Sequence, residues 1–469
     1  MASSDRSFSE VGITWGALMI AAFAAIVLFL FALSKGSLVM RVYTPAAVVV
    51  GFLLFRHDSD RYLRFVWGLW FLTPLVRRLA DFQTNWNPVS MIMLAPMLVT
   101  LLSAGTVCLS LHRLFTRRFL PFTLMLVSLL YALVVGGLTV GWTPAIYDFL
   151  TWSSPIVFCI YLQIREADAA ALGKIVGDAF IWGLFIMGSY GIAQFCLAPE
   201  WDTYWLLKSQ MFTSAGSPEP FGLRVWSTMN SPGVFAHFMM AGLLINTCRI
   251  GFASLGASAI GYVCFGLTLV RSAWLGWASG MAYLAWYSIG RMRISFFITI
   301  AAFATVAVPL IMSGKIDALN ERLASMTEIE EDTSYLARME FYSSFFSIAL
   351  TNIKGEGMGS TGLATKLTTE KNVMGEMGNF DSGLMQIPYV LGYIGGFPYL
   401  TGLLLFLTRV FSGSGGGDDL FITTCRGIVL GMLLQLIFTL PLIGASGMII
   451  WSFAGFVLSA RENAGKAYG

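Results

Sequence analysis

VGITWGALMIAAFAAIVLFLFAL, residues 11–33, is an apolar run of 23 residues without a single charged side chain. A helix needs about 20 apolar residues to cross the hydrocarbon core of a bilayer. The run is longer than the apolar core of a signal peptide, and no convincing cleavage site follows it. The sequence therefore predicts a retained transmembrane helix at the start of the chain.

Similar runs recur along all 469 residues. Hydrophobic residues make up 57% of the chain and charged residues 12%, about half the charged share of a soluble protein, and the mean hydropathy is +0.73. This composition predicts an all-α, polytopic integral membrane protein, residues 1–469 forming one transmembrane domain with 12–14 spans. The fourteen runs that we assign as spans are 11–33, 37–55, 62–79, 88–111, 119–140, 144–163, 172–197, 232–248, 254–270, 272–289, 292–313, 383–408, 420–439 and 442–460.

The distribution of lysine and arginine predicts the orientation. With both termini in the cytoplasm, 16 of the 29 basic residues lie in inner loops or tails. Seven lie outside, apart from those in the 67-residue loop 314–380, which is too long to count. Segments 198–230 and 314–380 are then extracytoplasmic, and the Ser/Gly-rich stretch 412–419 is a cytoplasmic connector. We expect one or two surface helices in 314–380, followed by a flexible glycine-rich part.

The same orientation places Arg271 at the outer mouth of the membrane. Arg249 and Arg291 are both cytoplasmic, so an even number of crossings separates them, and residues 252–290 form a hairpin with its vertex near residues 270–272. A charge at this depth is costly unless it faces protein, water or an anion.

A helix start follows the first outer loop. Ser231 before Pro232 predicts an N-cap with proline in the first turn. The free N–H groups at such a helix end, beside Arg224, would suit an anion. Asn230 and His237 are seven residues apart and share a helix face. The alternatives are a capped span with a snorkelling arginine and a histidine that only packs.

Three arginines are predicted on the outer side, namely Arg224, Arg271 and Arg338 in the stretch Ser334–Glu340. The guanidinium group binds phosphate through two parallel hydrogen bonds and stays charged. A shared anion site is one interpretation. Contacts with lipid headgroups or a structural role are the alternatives for each arginine.

Several motifs resemble the O-antigen polymerase and O-antigen ligase superfamily, in its polysaccharide polymerase branch. They are Arg224…Asn230-Ser-Pro, Leu269-Val-Arg-Ser272, Ser334…Arg338, Lys354-Gly-Glu-Gly-Met-Gly359, Phe380-Asp-Ser-Gly-Leu384 and Leu391-Gly-Tyr-Ile-Gly-Gly396. The resemblance covers roughly residues 220–400. It implies an enzyme of the bacterial inner membrane that uses undecaprenyl-pyrophosphate-linked glycans on the outer face without metal or cofactor.

Carried over residue by residue, the pyrophosphate-binding role falls on Arg224, Arg271 and Arg338. Ligases of this family carry a histidine before the next span where this chain has Asp381, and 314–380 contains no histidine. The departure favours a polymerase in which Asp381 is the base or the group that binds the acceptor hydroxyl. Asp381 as a helix N-cap is the alternative. His237 and Glu340 are the next candidates for the base, and Asn230 for substrate contact.

The predicted function is transfer of a glycan from undecaprenyl pyrophosphate to a hydroxyl of another lipid-linked repeat unit, giving O-antigen or exopolysaccharide. The alternatives are a glycan ligase and a flippase or exporter of lipid-linked oligosaccharide. Expected partners are the lipid-linked donor and acceptor and membrane lipids, with a chain-length regulator and a flippase as further candidates. A net charge of +3 argues against nucleic acid. Outer tryptophans, Trp201, Trp205, Trp226 and Trp274, could stack on sugars or belong to an interfacial aromatic belt.

Overall fold

The computed structural model describes residues 15–165, 169–249, 251–287, 352–368, 382–412 and 419–467. These parts of the chain are helical and contain no β-strand. The α-helices are α1 Trp15–Ala32, α2 Gly36–His57, α3 Ser59–Gln83, α4 Leu94–Leu101, α5 Ala104–Leu109, α6 Leu111–Leu114, α7 Leu120–Thr139, α8 Trp142–Arg165, α9 Ala169–Leu197, α10 Glu200–Ser209, α11 Phe212–Ala215, α12 Pro232–Asn246, α13 Phe252–Leu267, α14 Arg271–Tyr287, α15 Gly383–Phe411, α16 Leu420–Leu434 and α17 Gly444–Ala467. Short 3-10 turns cover Met91–Met93, Gly362–Leu367 and Gln435–Ile437.

Eight helical stretches in the described residues are long and apolar enough to cross a membrane, so the chain is a membrane protein. They are Trp15–Ala32, Gly36–His57, Met91–Leu109, Leu120–Thr139, Trp142–Arg165, Ala171–Leu197, Gly383–Phe411 and Leu420–Ile437. Helices also occupy the other predicted spans except 292–313, which lies outside the described residues. The count of 14 spans stays a prediction. α3 is long enough, but it carries several charged residues, among them Arg77, Arg78 and Asp81.

Basic residues from distant parts of the chain meet at one end of the bundle. Arg64 and Arg249 both pair with Asp178, and Arg165 pairs with Asp60. Three further arginines belong to a neighbouring group, in which Arg409 donates to the carbonyl of Arg118, and Arg461 to that of Arg409. All of these arginines are ones that the sequence predicts to be cytoplasmic, and the structure brings them to one end of the bundle.

α15 is broken at Gly392, where φ is 60° and ψ is −164°. In a continuous helix the carbonyls of Tyr389 and Val390 would accept hydrogen bonds from residues four positions later. Here they accept from the backbone N–H groups of Glu356 and Gly357, at 2.9 and 3.0 Å. The glycine-rich segment therefore satisfies the carbonyl groups that the break exposes.

The same segment satisfies the freed N–H groups. Tyr393 and Ile394 both donate to the carbonyl of Ile353, at 2.9 and 3.4 Å. On its other side the segment touches α7 so closely that a Cβ built on Gly136 would lie 2.0 Å from the Met358 oxygen. The expectation of a flexible glycine-rich loop is wrong for residues 352–361. Glycine serves close backbone approach here, between α7 and the break in α15.

Residues 198–230, which the sequence predicts to be an outer loop, are held to the bundle by a buried ion pair. Arg78 Nη1 lies 2.8 Å from Asp202 Oδ1, and both side chains are fully buried. Arg78 also donates to the carbonyl of Ser227. Gln194 donates to Asp202 and accepts from the backbone N–H groups of Trp226 and Ser227, at 3.1 and 2.8 Å. This network fixes the chain just before the start of α12.

Candidate functional site

The start of α12 agrees with the predicted helix cap. Ser231 is the N-cap with extended backbone, its hydroxyl accepts from the Val234 N–H at 3.3 Å, and Pro232 follows in the first turn. Asn230 directly precedes the cap, and its Nδ2 lies 3.8 Å from the sulfur of Met93. Its Oδ1 is buried without a hydrogen-bond partner in the described parts of the chain.

Arg224 lies beside the corner that joins α13 to α14. Its Nε and Nη2 donate to the carbonyls of Thr268 and Leu269, at 3.3 and 3.2 Å. Val225 N–H bonds to the carbonyl of Leu267, so the two chain segments run side by side. Arg271 begins α14 two residues after Leu269. The chain turns at residues 268–270, two positions before the vertex predicted at 270–272, and two of the three predicted arginines lie at this corner.

His237 lies in a buried polar contact between helix ends. Its Nδ1 is 2.8 Å from the hydroxyl of Ser446, near the start of α17. The side chain of Gln435 lies close to the imidazole, although neither His237 Nε2 nor Gln435 Oε1 has a hydrogen-bond partner among the described residues. Gln435 Nε2 donates at 2.6 Å to the carbonyl of Ser272, the neighbour of Arg271. The predicted residues His237 and Arg271 are thus linked through Gln435.

The start of α15 meets the same segment of chain. The Gly383 N–H donates to the carbonyl of Thr439 at 3.0 Å, and Thr439 N–H donates to the carbonyl of Gln435 at 2.8 Å. Ser382 is the N-cap position, although its hydroxyl makes no capping bond. The interpretation of Asp381 as the N-cap is therefore wrong by one residue.

Four buried polar atoms of the chain segments just described have no hydrogen-bond partner among the described residues. They are Asn230 Oδ1, His237 Nε2, Ser382 Oγ and Gln435 Oε1. Buried polar groups are nearly always paired, since an unpaired group costs about 1–3 kcal/mol. Such a group is a candidate for hydrogen bonding to a ligand. Together with Arg224 and Arg271 these atoms define what we call the outer polar site, named for the side on which the sequence predicts it to lie.

Residues of the outer polar site or their contacts lie at or near the N-termini of four helices, α12, α14, α15 and α17. Each of these N-termini carries a partial positive charge from its unpaired N–H groups. Arg224 and Arg271 are the charged side chains that the contacts described above bring together at this site. The arrangement suits a ligand that combines negative charge with hydroxyl groups.

Two of the outer tryptophans do not face this site. Trp205 and Trp226 are buried against each other, with ring centroids 5.9 Å apart, in a small core with Leu206 and Leu223. They are therefore unavailable for stacking on sugars. Trp201 donates to the hydroxyl of Tyr190 and so belongs to the network around Asp202.

Three predicted site residues, Arg338, Glu340 and Asp381, lie outside the described residues, so their roles stay predictions. The structure adds Gln435, Ser446 and Ser382, which the sequence did not single out. A polar glutamine at the end of an apolar run is the one signal that could have indicated Gln435.

No group of three or more His, Cys, Asp or Glu side chains that could hold a metal ion occurs in the described part of the chain. A comparison with known protein families finds no family model that matches the chain, and a comparison with curated proteins finds no match. The function is therefore argued from the site and from the motifs alone.

Proposed function

We propose that the protein polymerises lipid-linked polysaccharide repeat units on the outer face of the bacterial inner membrane, with both termini in the cytoplasm. It would transfer a glycan from undecaprenyl pyrophosphate to a hydroxyl of another lipid-linked repeat unit. The observation that carries the proposal is the outer polar site, which combines two arginines with four buried polar atoms that have no hydrogen-bond partner in the described part of the chain. The motif resemblance over residues 220–400 supports the same conclusion.

Transfer of a glycan from a lipid diphosphate needs few chemical groups beyond those of the outer polar site. The bond from the anomeric carbon to the donor phosphate breaks, and a bond to the acceptor oxygen forms, with inversion at that carbon. Negative charge develops on the departing lipid diphosphate, and positioned guanidinium groups stabilise it. The acceptor proton passes to a carboxylate, for which Asp381 is our candidate.

The unpaired polar atoms would bind the sugars. His237 Nε2, Gln435 Oε1 and Ser382 Oγ are buried and offer both donors and acceptors. Fixed groups of this kind orient a hydroxyl for attack, since holding two reactants in place removes much of the entropic barrier.

One observation favours the flippase as a second candidate function. α15 is broken at Gly392, and broken helices are common in transporters. The break is filled by the segment 353–357 rather than left open to a cavity, which is why we place the polymerase first.

Deletion of the gene distinguishes the candidates. A polymerase deletion accumulates single lipid-linked repeat units on the outer leaflet, whereas a flippase deletion accumulates them on the inner leaflet. Loss of attachment to a final acceptor with normal polymer length would indicate a ligase. Polymer formation by purified protein from lipid-linked repeat units alone is the direct assay, and absence of product there would contradict the proposal.

Cysteine labelling tests the orientation on which the proposal depends. In a variant without the six native cysteines, Leu363→Cys should react with an impermeant maleimide in intact cells. Phe115→Cys, exposed at the opposite end, should react only after permeabilisation. The reverse pattern would place the outer polar site in the cytoplasm.

A further inference from the structure

Asp148 is a buried carboxylate of α8 that the chemistry described above does not use. The residue is 5% exposed, and no described residue forms an ion pair with it. Its Oδ2 accepts from the Gly359 N–H at 2.9 Å, whereas its Oδ1 accepts no hydrogen bond from any described residue. The indole N–H of Trp152, one turn further along α8, lies close to the carboxylate and also has no hydrogen-bond partner in the described ranges.

Anchoring the Gly359 N–H does not require a charge at position 148. An asparagine would accept the same hydrogen bond without the cost of burying a charge. A carboxylate can accept about four hydrogen bonds, and the described residues supply one of them. Ionisable residues within a span are rare and typically serve a function. The position of Asp148 relative to the outer polar site therefore matters.

The start of α17 connects Asp148 with His237. Ser446, whose hydroxyl lies 2.8 Å from His237 Nδ1, follows Gly444 by two residues. A Cβ on Gly444 would lie 3.4 Å from Cγ2 of Thr151, which is about one helix turn after Asp148. Asp148 thus lies about one turn from the helix start that holds His237.

α4 connects the same turn of α8 with Asn230. The Thr151 hydroxyl lies 3.7 Å from the sulfur of Met97, and Asn230 Nδ2 lies 3.8 Å from the sulfur of Met93, one turn earlier. α4 and α8 run in the same direction, because α7 is the one long helix that lies between them in the chain. Asp148, about one turn before Thr151, is therefore at the level of Asn230.

The glycine-rich segment connects Asp148 with Ser382. Gly359, which donates to Asp148, precedes Thr361 by two residues. Gln386 Nε2 donates to Thr361 Oγ1 at 2.8 Å, and the backbone N–H of Gln386 donates to the carbonyl of Ser382 at 3.1 Å. Three independent routes thus lead from Asp148 to three residues of the outer polar site, and Asp148 borders this site.

The chemistry of a carboxylate decides which part of the substrate Asp148 can contact. Arg271 reaches the site through another route, in which Gln435 Nε2 donates to the carbonyl of Ser272. A diphosphate bound by the arginines would repel a carboxylate, so Asp148 suits an uncharged group. The donor sugar is bonded directly to its diphosphate. The carboxylate therefore fits the acceptor sugar better.

We propose that Asp148 binds a hydroxyl group of the acceptor sugar and so determines which sugar is accepted. The inference rests on the proposed function and names a specificity residue for it. Oδ1 accepts a hydrogen bond from the hydroxyl, and the N–H of Trp152 donates to a neighbouring sugar oxygen. Hydrogen bonds from O–H groups to a carboxylate are about twice as strong as neutral ones. A sugar that lacks the hydroxyl is rejected, because the buried carboxylate then loses its partner. Asp381 stays the candidate for proton transfer.

Two binding measurements on the purified protein test this inference. Asp148→Asn keeps an acceptor for the Gly359 N–H but removes the charge and one acceptor oxygen. Its affinity for the repeat-unit oligosaccharide, released from the lipid diphosphate, should fall about ten- to hundredfold, as expected for loss of a charged hydrogen bond. Its affinity for undecaprenyl diphosphate without sugar should be unchanged. Arg271→Ala should show the reverse pattern.

Asp58→Asn is the matched control. Asp58 caps the start of α3, at the end that the sequence predicts to be cytoplasmic. Asparagine caps a helix as well as aspartate does, so this variant should bind both probes as the wild type does.

Hydrogen exchange at Gly359 separates sugar recognition from packing. The exchange rate should be unchanged in Asp148→Asn and faster in Asp148→Ala, which removes the acceptor. Wild-type oligosaccharide affinity in Asp148→Asn, or faster exchange at Gly359 in that variant, would overturn the inference and leave the proposed function standing. No binding of the oligosaccharide to the wild-type protein would overturn the inference as well. The proposed function fails separately, if the wild-type protein forms no polymer from lipid-linked repeat units.

Discussion

The Nη2 group of Arg224 donates a hydrogen bond to the carbonyl oxygen of Leu269 at 3.2 Å. Because Leu269 lies two residues before Arg271, this bond holds two predicted phosphate ligands at one corner. Arg224 has a structural task as well as its proposed binding role, whereas Arg271 begins its helix at the mouth of the site. The two arginines should therefore respond differently to substitution.

Arg271→Ala should lower polymer formation by about 100-fold or more, as removal of a transition-state donor does, at normal abundance in the membrane. Arg271→Lys should recover little, because an ammonium group cannot make the paired hydrogen bonds. Arg224→Ala should lose activity and also lower the unfolding temperature. Lys208→Ala, an exposed outer cation, is the control. Normal polymer from Arg271→Ala would contradict the diphosphate assignment.

His237→Ala should lower polymer formation about 10- to 100-fold, since His237 Nε2 is proposed to contact the sugar. Ser446→Ala should have a smaller effect, because the hydroxyl contacts only Nδ1 and orients the ring. Both are measured as initial rates with purified protein. Thr247→Ala, at the far end of α12 with a hydroxyl bonded within its own turn, should behave as wild type. Equal losses from all three would indicate that packing alone is at work.

Asp381→Asn should abolish polymer formation while the protein remains in the membrane, because the amide cannot accept a proton. Asp381→Glu should keep part of the activity. Since Ser382 occupies the N-cap position, a stability loss in Asp381→Asn is not expected. Near-normal polymer from this variant would exclude Asp381 as the base and leave Glu340 and His237 as candidates.

Much of the helical architecture could be predicted because the signal for a span is local. A run of apolar residues defines a helix by itself, and the parity of charged loops predicted a vertex near residues 270–272, within two positions of the observed corner. The helix N-cap at Ser231 could likewise be predicted from two adjacent residues, Ser231 and Pro232.

The assembly of the site could not be predicted, because its contacts are long-range. His237 and Ser446 are separated by 209 positions, and a serine in an apolar run carries no periodic signal. The segment around Gly357 was predicted to be flexible because glycine has the greatest backbone freedom of all residues. In the structure the missing side chains allow it to pack against α7. Trp205 and Trp226 were candidates for sugar stacking or for an interfacial aromatic belt, but both are buried in a small local core.

Replacement of Asp202 by Leu should destabilise the protein by about 3–5 kcal/mol, because it leaves the buried charge of Arg78 without its partner. The unfolding temperature in detergent measures this loss. The double variant Arg78→Met, Asp202→Leu should regain a large part of it, since no charge is then left buried. Glu200→Gln, on the exposed side of the same short helix, should leave the unfolding temperature unchanged. A double variant no more stable than Asp202→Leu would contradict the account.

Gly392→Ala should detach the segment 353–357 from α15. Gly392 has φ of 60°, and an added Cβ would lie 2.3 Å from the Gly355 nitrogen. The expected result is faster hydrogen exchange at Glu356 and Gly357 together with loss of polymer. Gly396→Ala, on the same helix with open space around the Cβ position, should change neither. Unaltered exchange in Gly392→Ala would show that the segment is held by other contacts.

The backbone hydrogen bonds between α15 and residues 353–357 also constrain how the protein is inserted into the membrane. Inside a bilayer, each unpaired backbone group costs several kcal/mol. The two halves of α15 therefore cannot be released into lipid one after the other as finished helices. Residues 353–357 and both halves of α15 therefore have to come together during insertion, against α7, which was synthesised more than 200 residues earlier. A pause in translation between residues 357 and 394 would leave these backbone groups without their hydrogen-bond partners while the chain is still bound to the ribosome.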